Sequence, residues 1–138
     1  MTNRPAPLVP ADRGATIALW HDCGLTRPWN DPGSDFDRAL SGPASTILGL
    51  HDAVGLAGTV MVGHDGHRGW VYYLAVAPAR QRHGLGRALM TAAEAWLLRH
   101  GVPKLNLMVR ADNAVAQGFY QAIGYTLSDV TVLQKGLA

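Results

Sequence analysis

The 138-residue sequence predicts a mixed α/β fold, in which an antiparallel meander of strands is followed by alternating helices and strands. Three observations carry this prediction. Apolar and β-branched runs recur three times between residues 46 and 76, joined by short Gly-bearing links. One face of residues 88–97 is apolar at helical spacing. A strand-like run, a capped helical pattern and two short β-type runs then follow.

Taken in order, Asp12 stands as an N-cap before Ile17, Leu19 and Trp20, which predicts a first helix over 13–23 that stops at Gly24. The next stretch, Thr26-Arg27-Pro28-Trp29-Asn30-Asp31-Pro32-Gly33, is crowded with turn formers and reads as a loop carrying a Trp, with a short helix over 35–40 after it. Strands are expected over 46–50, 57–62 and 70–76. Their links, 51–55 and 64–69, suit antiparallel hairpins. After Pro78, the residues Ala88, Leu89, Ala92, Ala93, Trp96 and Leu97 share one helix face, and Gly101 is placed as its stop. A strand over 104–109 follows, then a helix capped by Asn113 and ending near Gly124. Residues 125–127 and 130–134 are expected to supply final strands.

Composition narrows the function classes. An apolar fraction of 48% and a charged fraction of 16% describe a foldable chain of one domain over residues 1–138, with disorder confined to its ends. A net charge of +2, without any run of five Lys or Arg, excludes an evident nucleic-acid partner. Cys23 stands alone, so no intramolecular disulfide can form and a reducing, cytoplasmic setting is expected. Cys23 itself reads as a small buried apolar residue without a role. The N-terminal stretch Met1-Thr2-Asn3-Arg4-Pro5-Ala6-Pro7 has no apolar core of leader length, and no later segment approaches a membrane span; no membrane association is expected.

The most informative segment is Val76-Ala77-Pro78-Ala79-Arg80-Gln81-Arg82-His83-Gly84-Leu85-Gly86-Arg87, between the third strand and the best helix. Gly84 and Gly86 lack Cβ atoms, so backbone N–H groups there can approach an anion closely at the positive end of the helix dipole. Arg80, Arg82 and Arg87 crowd the same terminus, and three cations there are unfavourable until an anion arrives. The plainer account is a tightly packed helix start with solvated arginines. A P-loop is excluded because Gly86 is followed by Arg87-Ala88 rather than Lys-Ser or Lys-Thr. A dinucleotide fingerprint is excluded because Leu89 occupies the third glycine position and the preceding strands are antiparallel.

Gln81-Arg82-His83-Gly84-Leu85-Gly86 resembles the Q/R-x-x-G-x-G/A acetyl-CoA signature of the GNAT superfamily of N-acetyltransferases. Val76-x-Pro78 before it, and Asn113-Ala114-x-Ala116-x-x-Phe119-Tyr120-x-x-x-Gly124-Tyr125 after it, resemble the flanking cofactor segments. The likeness runs from about Thr46 to the C-terminus. Residues 27–32 and 65–69 look like an uncharacterised bacterial subgroup, the YpeA type. The resemblance implies a GNAT fold: a mixed, mostly antiparallel sheet of six to seven strands with helices on both faces. It implies acetyl-CoA as cosubstrate, held by the backbone of Leu74, Ala75 and Val76 where their strand splays from its neighbour, by Gln81, Arg82, His83, Gly84, Leu85, Gly86 and Arg87, and by Asn113 and Tyr120. It also places Tyr120 beside the sulfur as general acid for the departing thiolate. A core aromatic beside Phe119 is the plainer account of Tyr120, and an N-cap that of Asn113.

Acetyl transfer needs a neutral amine, a stabilised oxyanion and a proton for the thiolate. The glutamate that related enzymes carry on either neighbouring strand is replaced here by Trp70 and Met108. Direct attack by an amine that loses its proton through water is therefore expected, through a tetrahedral intermediate. Trp29, Asp31, Asp65 and His67 are the substrate-side candidates. Asp65-Gly66 equally suits a tight hairpin, and His64-x-x-His67 reads as two turn residues rather than a metal pair, so no metal is expected. The acceptor is read as a small-molecule primary amine. A protein N-terminus and a non-catalytic acyl-CoA sensor are the alternatives, and a homodimer sharing a sheet edge is compatible with each.

Overall fold

The structure, a computed structural model, describes residues 4–138; residues 1–3 of the N-terminal stretch considered above lie outside the described residues. Two compact units are present, one running to Leu107 and the other comprising Met108–Ala138.

The first unit is built on one five-stranded sheet in the order β1-β2-β3-β4-β5. The meander is β2 (Ser45–His51), β3 (Leu56–His64) and β4 (Gly69–Val76), antiparallel throughout. Each strand extends the apolar run that predicted it by one to three residues. At one edge lies β1 (Ala6–Pro7), paired with β2. The sequence concealed this strand because proline cannot donate to a ladder, yet an edge position tolerates that loss. At the other edge β5 (Leu105–Asn106) runs parallel to β4. Only two of the six residues expected over 104–109 are strand.

Helices α1 (Arg13–Asp22) and α2 (Pro32–Ser41) cover one face of the sheet, where Leu8, Leu19, Trp20, Phe36, Ala39, Ile47 and Ala75 form a core. α2 starts three residues earlier than predicted. Asp31 caps it by accepting from the Gly33 and Ser34 amides, and Pro32 opens the first turn, so residues read as turn formers are helix-start signals. α3 (Leu85–Arg99) covers the opposite face, because alternate residues of a strand point to opposite sides. Its Leu89 and Leu97 lie over Gly58 and Gly69, where the missing side chains let the helix approach the sheet.

One buried linkage joins α1 to two strands. The Trp20 indole N–H donates to Thr59 Oγ1 at 2.9 Å, and that hydroxyl donates to the Tyr73 carbonyl at 3.1 Å. The Trp20 ring stacks on Tyr73 with centroids 3.8 Å apart. Trp20 and Thr59 are fully buried, so each polar atom needs the partner it has. At this point β4 carries a bulge. Thr59 pairs with Ala75 and Met61 with Tyr72, leaving Tyr73 and Leu74 opposite Val60. Tyr73 has φ 52°, the left-handed region that a bulky residue adopts only when its surroundings hold it there.

The second unit contains α4 (Ala114–Ala122), capped by Asn113 Oδ1, which accepts from the Ala116 amide at 3.0 Å. Gly124 follows at φ 102°. The strands expected over 125–127 and 130–134 are not formed, and the sheet has five strands rather than six or seven. Ser128-Asp129 divides the β-type residues into runs of three and five. β propensity yields a strand only when a ladder and a packed face accompany it. Leu127 and Leu133 are 87% and 90% exposed, so neither condition is met there.

A Cβ at residue 58 would lie 2.9 Å from both the Ala75 carbonyl oxygen and Leu89 Cδ1. Gly58→Ala is therefore expected to destabilise the fold by ~1–3 kcal/mol through overpacking between β4 and α3. Urea unfolding checks this, and an unchanged midpoint would show that the sheet and α3 part easily.

Candidate active site

β4 and β5 pair only at Gly69↔Leu105 and Trp70↔Asn106. Among the described residues no strand pairs with β4 on that side from Val71 onward, the stretch that carries Leu74, Ala75 and Val76. The Ala75 side chain is buried beneath α1 and α2. The bulge at Tyr73 and Leu74 lies within the same stretch.

Beyond Val76 the chain enters a single 3-10 turn, Pro78–Arg80, tied to the sheet by the Ala77 amide donating to the Ala57 carbonyl at 2.8 Å. Gln81 Nε2 donates back to the Val76 carbonyl at 3.3 Å, and Cys23 Sγ donates to the same oxygen at 3.3 Å. That carbonyl is thus engaged within the protein. Burial pushes the Cys23 thiol pKa up, which keeps it protonated. Arg82 and Gly84 both adopt left-handed conformations, φ 69° and 79°, and α3 begins immediately after them.

α3 differs from α2 and α4 at its start, since no side chain caps it, and unlike α2 it has no acidic residue in its first turn. Its leading amides therefore point out of the helix without a side-chain acceptor. No atom lies within 4 Å of a Cβ built at Gly84, so the space above that residue is open. Gln81, Arg82, His83 and Arg87 are exposed around it, Gly86 is half-buried, and Leu85 points into the core. An open, uncapped helix end beside cationic side chains suits a diphosphate. Arg80 departs from the expected trio. Its Nε lies 2.6 Å from Asp52 Oδ2 and its Nη2 donates to Asp52 Oδ1 at 2.8 Å, so its charge is already paired.

In the second unit, Tyr120 packs edge-on against Phe119 and Tyr125, with centroids 5.1 and 5.8 Å away. Burial pushes its pKa up from the ordinary phenol value, so it holds a proton at neutral pH. Asn113 is the N-cap described above.

The substrate-side candidates prove to have structural duties. Asp31 caps α2 and also accepts from Ser34 Oγ at 3.0 Å, and these bonds lower its pKa. Asp65 accepts from the His67 and Arg68 amides at 2.9 and 2.8 Å and from the Trp70 indole at 3.2 Å. Those donors hold its pKa down to about 2, which makes it a feeble base. His67 Nδ1 lies 3.4 Å from an Arg68 nitrogen, and Trp29 is largely exposed. The turn bearing Asp65 and His67 opens β4, whereas the loop bearing Gln81 and Gly84 follows its far end. Among the described residues, no three His, Cys, Asp or Glu side chains are grouped to hold a metal ion.

Sequence reasoning missed Asp35. Its Oδ2 accepts from Tyr73 Oη at 2.7 Å, and Arg38 lies 3.3 Å from its other oxygen. Burial, together with the Asp35 charge, raises the Tyr73 pKa far above the phenol range. No signal in the sequence pairs residue 35 with residue 73, because the bulge that aims Tyr73 at α2 leaves no mark on the run Val71-Tyr72-Tyr73-Leu74.

An unpaired strand edge followed by an open helix terminus can receive an extended ligand that carries a diphosphate. The sequence model of the Acetyltransferase (GNAT) family matches residues 14–125. A Yersinia enterocolitica protein named as an acetyltransferase is 41% identical over 127 residues, covering 92% of this chain and 90% of its own. A Pectobacterium atrosepticum acetyltransferase is 41% identical over 126 residues, covering 91% and 89%. Among solved structures, an aminoglycoside N-acetyltransferase bound to a CoA-linked bisubstrate analogue superposes with TM-score 0.85 at 12% identity, covering 100% of this chain and 99% of that one. The ribosomal-protein-alanine N-acetyltransferase of Escherichia coli gives TM-score 0.76 at 27% identity, covering 90% and 77%. The chain belongs to the GNAT family of acetyl-CoA-dependent N-acetyltransferases.

The bonds at Asp65 predict a pH signature. Its depressed pKa means that the charged carboxylate contributes stability in full above 3.8, and that this contribution is lost as pH falls through about 2. Asp65→Asn should lower stability at neutral pH, and its gap from the wild type should close between those two values. Urea midpoints across that range test this; a constant gap would mean that the carboxylate charge is irrelevant to the turn.

Proposed function

We propose that the chain is a single catalytic domain that transfers an acetyl group from acetyl-CoA to a primary amine of a small molecule. The observation that carries this reading is the uncapped start of α3, with open space above Gly84, following a strand whose edge is free from Val71 onward. The family match spans both compact units, which supports treating them as one domain.

In this reading the α3 amides, with Arg82 and Arg87, receive the diphosphate, and the backbone of Leu74 and Ala75 lines the pantetheine and acetyl units. Gln81 shapes the loop through its bond to Val76, while Asn113 caps α4 and contacts the coenzyme. Acetyl-CoA supplies the activated acyl carbon. Tyr120, protonated at neutral pH, donates to the leaving sulfur. Asp31 and Asp65 are committed to backbone amides, and the Asp35 oxygens to Tyr73 Oη and Arg38, so the amine loses its proton directly to water. Among the described residues no helix is long and apolar enough to cross a membrane. The lone Cys23, half-buried and reduced, supports a cytoplasmic setting. A homodimer is compatible with this function.

A second reading, acetylation of a protein N-terminus, is favoured by the 27% identity to the ribosomal-protein-alanine enzyme. Trp70 and Met108, in place of a strand glutamate, favour the small amine. Release of free thiol from acetyl-CoA, followed with a panel of polyamines, aminoglycosides, amino-acid amides and N-terminal peptides, decides between them. Turnover with peptides alone would overturn the small-molecule assignment. Coenzyme binding without turnover would mark an acyl-CoA sensor.

Two variants test the roles of individual residues. Gly84→Glu places charge and bulk over the α3 terminus and is expected to weaken coenzyme A binding by roughly a hundredfold, ~2.7 kcal/mol. Gly84→Ala, which bears only the left-handed strain, is the control; equal losses in calorimetry would remove the electrostatic explanation. Tyr120→Phe should slow turnover by roughly ten- to a hundredfold while the coenzyme Kd stays within about twofold. Parallel losses in rate and binding would reduce Tyr120 to a packing residue.

A further inference from the structure

The loop between β4 and α3 has two left-handed residues, Arg82 and Gly84, within three positions. Left-handed backbone at a non-glycine residue is unfavourable by ~1–2 kcal/mol, so the loop adopts this shape only if something outside it fixes its path. Gln81 bonds back to Val76, one residue before the loop, and thus closes it on itself. Arg80 reaches further, to Asp52 in the turn between β2 and β3.

Asp52 is itself immobilised. Its Oδ1 accepts from the Val54 and Gly55 amides at 2.8 and 3.1 Å, and its own amide donates to the Gly55 carbonyl at 2.9 Å. The turn closes the β2–β3 hairpin, whose register runs unbroken from Ser45 to Leu50. The carboxylate therefore stands in a hydrogen-bonded turn just beyond the sheet, past the register shift at Leu50 and His51, with both oxygens directed at one guanidinium. The Asp52 and Arg80 side chains are 24% and 22% exposed, which limits solvent screening of the pair.

We infer that Asp52 is a positioning residue for coenzyme binding: its two-pronged bond to Arg80 anchors the 3-10 turn to the β2–β3 hairpin, so that the loop holds the α3 amides open in one conformation. The inference rests on the reading of that loop as the coenzyme A seat. A different role for the same pair predicts the opposite sign. If Arg80 were a phosphate ligand, Asp52 would compete with the diphosphate for it, and neutralising Asp52 would tighten binding.

Asp52→Asn, Arg80→Gln and the double variant separate these roles, since asparagine keeps an acceptor for the Val54 and Gly55 amides. Calorimetry with coenzyme A should show each single variant weakened by roughly tenfold, with the double variant no weaker than either, because both lose the same anchor. Hydrogen exchange should quicken at residues 79–84 in both single variants without ligand. Tighter or unchanged binding by Asp52→Asn would overturn the inference, as would additive losses or unaltered loop exchange. A lowered Tm with an unchanged Kd would also overturn it, since that is what a merely structural ion pair gives. Failure of the wild type to bind coenzyme A would instead remove the seat itself, and the exchange measurement would still report whether Asp52 fixes the loop.

Discussion

Tyr73 is held at φ 52° by contacts on three sides, and the bulge of β4 is built around it. Trp20 stacks on its ring, Thr59 donates to its carbonyl, and Asp35 accepts from its hydroxyl. Each partner comes from a different element, so α1, β3 and α2 together support one strained residue of β4. A bulge bends and twists the strand that carries it. Here it falls where pairing with β5 has already ended, and the freed stretch leads directly into the loop before α3. Packing on the α1 and α2 face thus bears on the same stretch of β4 whose opposite edge is left without a strand partner.

Charge at the start of α3 is arranged more economically than three neighbouring arginines imply. Arg80 is neutralised by Asp52, which leaves Arg82 and Arg87 exposed beside amides that no side chain caps. Two cations beside a helix dipole leave a positive terminus, while the third is held by a carboxylate of the β2–β3 turn. The carboxylates follow a similar division. Asp31 and Asp65 spend their lone pairs on backbone amides, whereas Asp35 faces the bulge.

What could be read from sequence was local. Apolar and β-branched runs marked β2, β3 and β4, helical spacing marked α3, and Asn113 announced α4, because each signal lies within a few residues of the element it specifies. The loop before α3 was legible for the same reason: its glycines and arginines fall within residues 80–87. Partnerships across the chain were not. The pairing of Arg80 with Asp52 spans 28 residues and that of Tyr73 with Asp35 spans 38, and neither has a signature in spacing. The terminal runs near Leu127 and Leu133 carried β propensity without the ladder that makes a strand, so propensity alone misled.

Cys23 has a practical consequence for enzymology on this chain. Its sulfur is tucked against the Val76 carbonyl and burial favours the thiol form, so slower reaction with disulfide reagents and maleimides than an exposed cysteine shows is the expected outcome. Colorimetric detection of released coenzyme A consequently starts from a low protein background, even at high enzyme concentration. A fluorophore for single-molecule work needs a cysteine introduced elsewhere, and the native one can be left in place.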